Sequence, residues 1–290
     1  MDSHGTYTPV LYGIKATRVK KSSAGPLQGE GFRDTIARAE GRHMKDLWIY
    51  GINPVAEALR SGRCRMREIW VAQGRGLKEL EGIIGAAESK GIPMRTVARS
   101  QLDSLTKSAP HQGVVGFIDQ FHYADLDEVL QGNEGDPFLL ILDGIEDPRN
   151  LGALIRTADA CGVWGVIIPK DRAADVTPAV AKGSAGAVFH IPLVRVTNIA
   201  STLRKLKERG IWVAGAAAEA PTEIYDHDLA IPLAVVIGGE GRGIRPLVKR
   251  ECDLLASIPM QGNVNSLNAS VAGAVILYEV LRQKRRASRP

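Results

Sequence analysis

Aromatic residues make up only 5% of this 290-residue chain, which argues against a surface that grips single strands mainly by stacking bases on rings. Cysteine is scarce as well. Cys64, Cys161 and Cys252 are odd in number and far apart, so neither a disulfide framework nor a paired-cysteine metal site is expected, and a reducing, cytoplasmic setting is the default. No apolar run reaches the roughly 18 residues of a membrane span. The N-terminus, MDSHGTYTPV, lacks the charged-then-apolar order of a secretory signal. Neither a membrane nor a metal is therefore an expected partner. Internal repeats and low-complexity tracts are also missing, apart from two basic clusters.

What is present is ordinary in bulk and uneven in charge. A hydrophobic content of 44% and a charged content of 24% suit a soluble globular protein, and the length allows two domains. The net charge is +5 and the pI about 9.1. Basic residues bunch in KATRVKK (15–21) and RQKRRASR (282–289). A polyanion, with nucleic acid the first guess, is the partner such clusters imply.

Residues 1–46 mix Gly, Ser, Lys and Pro with little apolar periodicity, and read as a flexible basic extension with one short helix over 32–39. Residues 47–120 read as a compact α/β unit. Asn53 and Pro54 look like an N-cap and first helical residue, Gly62 closes that helix, and strands are expected over 67–72, 93–97 and 113–118, with helices over 77–91 and from Ser100. His111 precedes the last strand and reads as an exposed loop histidine. Residues 121–136 are acidic and turn-rich, which suits a linker. From 137 to 290 strands and helices alternate, starting with the apolar strand FLLILD (138–143). That rhythm means a parallel sheet covered on both faces, with ligands beyond the carboxyl ends of its strands.

Three loops leave that sheet with chemistry to offer. The first, in residues 143–162, runs into a helix with Asn150 as the expected N-cap and Arg156 in the second turn, within reach of the strand ends. A guanidinium there suits a phosphate or a developing oxyanion. The second, IGGEGRGIRP (237–246), carries Gly238, Gly239, Gly241 and Gly243, which let backbone approach a ligand closely. Its spacing is neither the dinucleotide fingerprint nor a Walker motif, so NAD and ATP readings are weak. Glu240, in its middle, could pair with Arg156 if the loops converge. The third, IPMQGNVNSLNAS (258–270), crowds Asn263, Asn265, Ser266 and Asn268 ahead of an apolar helix whose expected buried face is Leu267, Val271, Ala274, Tyr278 and Leu281. Three such loops from one sheet make a pocket the default expectation.

At these three stretches, LDGIEDPRNLGALIRTADACG (142–162), VVIGGEGRGIRP (235–246) and IPMQGNVNSLNAS (258–270), the chain resembles the SpoU/TrmH family of RNA ribose 2'-O-methyltransferases in the SPOUT superfamily. Residues 47–118 resemble that family's N-terminal RNA-binding domain, as in its bacterial 23S rRNA guanosine branch. The resemblance implies an α/β fold whose C-terminal domain ties a deep trefoil knot. It implies S-adenosylmethionine held around Gly238, Gly239, Gly241, Ile258, Met260 and Leu267, and a catalytic set of Asn150, Arg156, Glu240, Ser266 and Asn268. It further implies a homodimer whose two subunits both contribute to the RNA site. Ribosomal RNA is the favoured substrate; transfer RNA and a non-catalytic RNA-binding or ribosome-assembly role are the alternatives. Arginine normally stays protonated, so Arg156 is better read as a fixed cation for the forming alkoxide or adjacent phosphate than as a general base.

Overall fold

The computed structural model describes residues 47–74, 76–263 and 265–288. The expected extension over 1–46, with its helix and the first basic cluster, lies outside them.

A small four-stranded sheet comes first: β1 (Leu47–Tyr50), β2 (Met66–Ala72), β3 (Met94–Val97) and β4 (Val114–Ile118), in the order β1-β4-β2-β3. Helices α1 (Ile52–Ser61), α2 (Glu81–Ser89) and α3 (Arg99–Thr106) connect them. Alternation along the strands sends Ile49, Ile69 and Val114 to one side against Val55, Leu59 and Ile83, and Tyr50, Trp70 and Val115 to the other against Leu102. Helix α1 starts earlier than expected, with Gly51 rather than Asn53 at its N-cap, and the Gln112 Oε1 accepts from the Ile52 N–H at 3.3 Å. Its end at Gly62 is as read, in the left-handed conformation that stops a helix. His111 is buried, contrary to the sequence reading. Its Nδ1 accepts from the Gly113 N–H at 3.0 Å, which leaves Nε2 as the donor to Asp103 at 2.8 Å.

Residues 121–136 are more than a tether. They carry α4 (Leu126–Gln131), capped by the Asp125 side chain on the Asp127 N–H, and Val129 packs onto Gly165. One buried apolar residue in a six-residue helix leaves no periodic stripe to read in sequence.

The large sheet holds β5 (Phe138–Asp143), β6 (Gly165–Pro169), β7 (Leu193–Val196), β8 (Trp212–Ala216), β9 (Leu233–Gly238) and β10 (Leu254–Ala256), all parallel, in the order β10-β8-β9-β5-β6-β7. All six residues of β5 are buried, as its continuous apolar run requires of a central parallel strand. Helices α5 (Pro148–Ala160), α6 (Pro178–Gly183) and α9 (Ala269–Ala287) cover one face, and α7 (Ile199–Lys207) and α8 (Pro246–Glu251) the other. Leu140, Leu154, Ile237 and Leu277 fill the first layer; Ile141, Leu203, Leu206 and Val236 fill the second. Each such side chain contributes roughly 1.5–3 kcal/mol by leaving water.

Two helix readings change here. Asp147, not Asn150, caps α5: its Oδ1 accepts from the Arg149 N–H at 2.8 Å and Pro148 takes the first helical position, where a missing N–H costs nothing. On α9 the buried residues are Ala269, Gly273, Ile276, Leu277, Glu279 and Val280, whereas Val271 and Tyr278 are 48% and 53% exposed. Two stripes on this helix have apolar spacing, and only close packing decides which one faces inward. A Cβ on Gly273 would lie 2.3 Å from the Leu154 Cδ2, so this glycine lets α9 settle on α5.

Candidate functional site

Strand order reverses at the β5/β9 pair: from β5 the chain steps outward to β6 and β7, then returns on the far side through β8. Ligands in open parallel sheets sit beyond the carboxyl ends of strands at such a point. A cleft of about 1340 Å³ opens there, lined among others by Gly238, Glu240, Ile258, Met260, Leu267 and Ala272. It is larger than the roughly 300–1,000 Å³ of most small-molecule sites.

Three side chains tie its loops together. The Asn150 Nδ2 donates to the Glu240 Oε1 at 2.6 Å. The Asn268 Nδ2 donates to the Asn150 Oδ1 at 3.1 Å and to the same Glu240 oxygen at 2.7 Å. Asn268 can do this because its Oδ1 is committed elsewhere. That oxygen caps α9, accepting from the Ser270 N–H at 2.9 Å, the Ser270 hydroxyl at 2.6 Å and the Val271 N–H at 3.4 Å. The cap therefore fixes the amide orientation, and both Nδ2 hydrogens are aimed at the other two loops. Asn150, free of capping duty, sits in the first turn of α5 and is 9% exposed.

A second lock lies one layer deeper. The Asp143 carboxylate ends β5 and is buried; its Oδ2 accepts from the Arg245 N–H at 2.8 Å and its Oδ1 from the Arg245 Nε at 2.7 Å. This forked, charge-assisted contact fastens the 239–245 loop to the strand end. The loop's glycines serve the same closeness. A Cβ on Gly238 would meet the Gly243 carbonyl carbon at 2.1 Å, and one on Gly239 the Gly144 carbonyl oxygen at 2.2 Å. Backbone rather than ligand is the neighbour that demands glycine at these two positions.

The sequence-derived residues fall as follows. Gly238, Gly239, Gly241, Ile258, Met260 and Leu267 all line the cleft, as do Glu240, Ser266 and Asn268. Asn150 reaches its edge through Glu240 and Asn268. Arg156 does not join them: it is exposed on α5, and among the described residues it has no hydrogen-bond or ion-pair partner. Glu240 is held by the two asparagines instead of by Arg156, because position 150 lies on the loop-facing side of the first turn and position 156 is about 240° further round the helix. Asp143, Asp147 and Arg245 went unnoticed in sequence. A carboxylate closing a wholly apolar strand was the available signal for Asp143. Arg149 forks onto Asp147, with Nη2 to Oδ2 at 2.8 Å, and this contact holds the Asp147 carboxyl below the usual carboxylate range.

Two family models match the two sheets of this arrangement. Residues 137–278 match the SpoU rRNA Methylase family, and residues 48–124 match the RNA 2'-O ribose methyltransferase substrate binding family. The chain is 44% identical to the 23S rRNA (guanosine-2'-O-)-methyltransferase RlmB of Pseudomonas syringae pv. tomato, over 83% of this chain and 98% of that one.

The chain belongs to the SpoU rRNA methylase family.

The RlmB of Shewanella oneidensis is 45% identical over 82% of this chain and 97% of its own length. Among solved structures, the SpoU methyltransferase AviRb from Streptomyces viridochromogenes, in complex with the cofactor AdoMet, superposes with a TM-score of 0.74 at 26% identity. That match covers 88% of this chain and 98% of AviRb. For a SpoU family member, the three tied loops are the stretches in which the sequence resemblance was concentrated. Among the described residues no helix is long and apolar enough to cross a membrane, and no cluster of three or more His, Cys, Asp or Glu is placed to hold a metal.

Proposed function

We propose that this protein transfers a methyl group from S-adenosylmethionine to a ribose 2'-hydroxyl of RNA, and that its substrate is a guanosine of 23S ribosomal RNA. The observation that carries the reading is the Asn150–Glu240–Asn268 network, which joins three loops of a SpoU methylase at one side of a cleft roomy enough for the cofactor. The cleft suits that cofactor. Ile237, Ile244, Leu255, Ile258 and Met260 offer an apolar wall for a purine, and Glu240, Asn265, Ser266 and Asn268 offer polar groups at the other side.

When bound, the cofactor supplies an activated methyl on a sulfonium, so the chain's own task is alignment and help with loss of the hydroxyl proton. Glu240, oriented by two amides, presents a fixed carboxylate beside the incoming ribose. Asn268 holds the third loop against it, and Ser266 lines the cleft beside it. Arg156 acts as a cation that steadies the forming alkoxide or clamps the neighbouring phosphate. Its exposure on α5, away from the cleft lining, favours delivery across a homodimer. Val271 and Tyr278, exposed on the first half of α9, supply the apolar surface for that association. Residues 47–120 would present the RNA, and 137–290 would carry the chemistry. The reading includes a deep trefoil knot in this domain, and the close approach of Gly239 to the Gly144 carbonyl packs the second loop on the end of β5 as tightly as a knotted domain would need.

The test is direct. Purified protein with radiolabelled S-adenosylmethionine should label 23S ribosomal RNA on a ribose, and RNA already methylated in the cell should accept no label. Label on transfer RNA alone would move the substrate, and absence of both labelling and S-adenosylhomocysteine binding would leave a non-catalytic RNA-binding role.

A further inference from the structure

Two carboxylates line the cleft among the described residues, Glu219 and Glu240. Glu240 already receives two amide donors at one oxygen. Glu219 lies in the turn after β8, and the Lys249 Nζ on α8 donates to its Oε1. Both partners of this pair line the cleft, so it bridges the turn after β8 and α8 at the cleft wall. Lys249, with the residue's own backbone amide, holds the Glu219 carboxyl below the usual carboxylate range, so it is an ionised acceptor at neutral pH. A carboxylate offers about four lone-pair positions. The lysine takes one of them, which leaves room for two adjacent donors.

We propose that Glu219 accepts the vicinal 2'- and 3'-hydroxyls of the cofactor's ribose and is the residue that distinguishes a ribonucleoside from its deoxy analogue. The proposal rests on reading the cleft as the S-adenosylmethionine site. A neutral diol fits better than a sulfonium or an ammonium, because Lys249 already balances the charge of Glu219. A diol can also add to the carboxylate without breaking the ion pair, whereas an amino-acid zwitterion would have to insert between its partners.

Calorimetric titration with S-adenosylhomocysteine, its 2'-deoxy analogue and methylthioadenosine tests this without any turnover. Wild-type protein should bind the 2'-deoxy analogue about ten- to a hundredfold more weakly than S-adenosylhomocysteine, the range for a hydrogen bond to a charged group. Glu219→Ala should abolish that difference and weaken methylthioadenosine as much as S-adenosylhomocysteine; Glu219→Gln should retain part of the difference. Glu219 is 69% exposed, so these variants should fold. An undiminished deoxy penalty in Glu219→Ala would overturn the assignment while leaving the cofactor reading intact. A loss confined to S-adenosylhomocysteine, with methylthioadenosine unaffected, would place the amino-acid end at Glu219 and also overturn it. Failure of wild type to bind any of the three would overturn both.

Discussion

Replacing Asn268 by Asp separates its two jobs. Both aspartate oxygens accept, so the cap on α9 survives and gains from a negative charge at a helix N-terminus. The other half of the side chain reverses its chemistry. Where Nδ2 donated at 2.7 Å to the Glu240 Oε1 and at 3.1 Å to the Asn150 Oδ1, an oxygen now faces two oxygens. Two unit charges at that separation repel by roughly 1.5 kcal/mol in a water-like dielectric and about 6 kcal/mol at an effective value of 20. The loops are exposed and can give way, which favours the lower figure. Adding the lost donors, a destabilisation of about 2–4 kcal/mol follows, or a fall in melting temperature of roughly 4–16 °C for a protein of this size. The effect should depend on pH. Two adjacent carboxylates bind a shared proton more readily when folded than when apart, so the folded variant gains protons as pH falls and the deficit shrinks. Thermal unfolding of wild type, Asn268→Asp and Asn268→Ala at pH 7.5 and pH 5 would show it. Aspartate should be worse than alanine at pH 7.5 and closer to wild type at pH 5. A variant as stable as wild type at pH 7.5, or a deficit unchanged at pH 5, would refute the reasoning.

Gly239→Ala should cost about 3 kcal/mol, the upper part of the overpacking range, because its Cβ meets backbone at Gly144. Gly262→Ala, with open space around it, should be near-silent, and urea titration of both variants checks this. Arg156→Gln should leave unfolding within about 0.5 kcal/mol of wild type, as for an exposed residue without partners. It should leave S-adenosylhomocysteine binding unchanged too, while methyl transfer falls about a hundredfold or more; equal loss of binding and transfer would place Arg156 at the cofactor. Val271→Asp combined with Tyr278→Glu should yield a folded monomer by sedimentation equilibrium, and an unchanged assembly state would remove α9 from the interface.

Much of the large sheet was legible because its central strands are almost wholly apolar and its strands are punctuated by helices. The expected strand FLLILD (138–143) is β5, and the apolar run LAVVIG (233–238) forms β9. The site was legible as three loops but not as a set of contacts. Asn150 and Asn268 are both plausible caps in sequence; only Asn268 is one, because Asp147–Pro148 makes the earlier and better start for α5. The glycines of 238–243 were read as room for a ligand, whereas at 238 and 239 another stretch of backbone takes the space. At 239 the neighbour is Gly144, far away in the chain, which local periodicity does not register; at 238 it is Gly243 of the same turn. The inward face of α9 was misassigned for a related reason. Val271 and Tyr278 carry the larger apolar side chains, yet Gly273, with none, marks the side that packs closest.

The claim on which the rest depends is that the tied loops form a ribose methylation site. Ribosomal RNA from cells lacking the gene, treated with purified protein and S-adenosylmethionine and then read for 2'-O-methyl groups nucleotide by nucleotide, tests it most directly. One guanosine ribose of 23S RNA should gain a methyl with wild type and stay bare with Glu240→Ala. A methyl on a base, on no RNA, or placed equally well by Glu240→Ala would contradict the account.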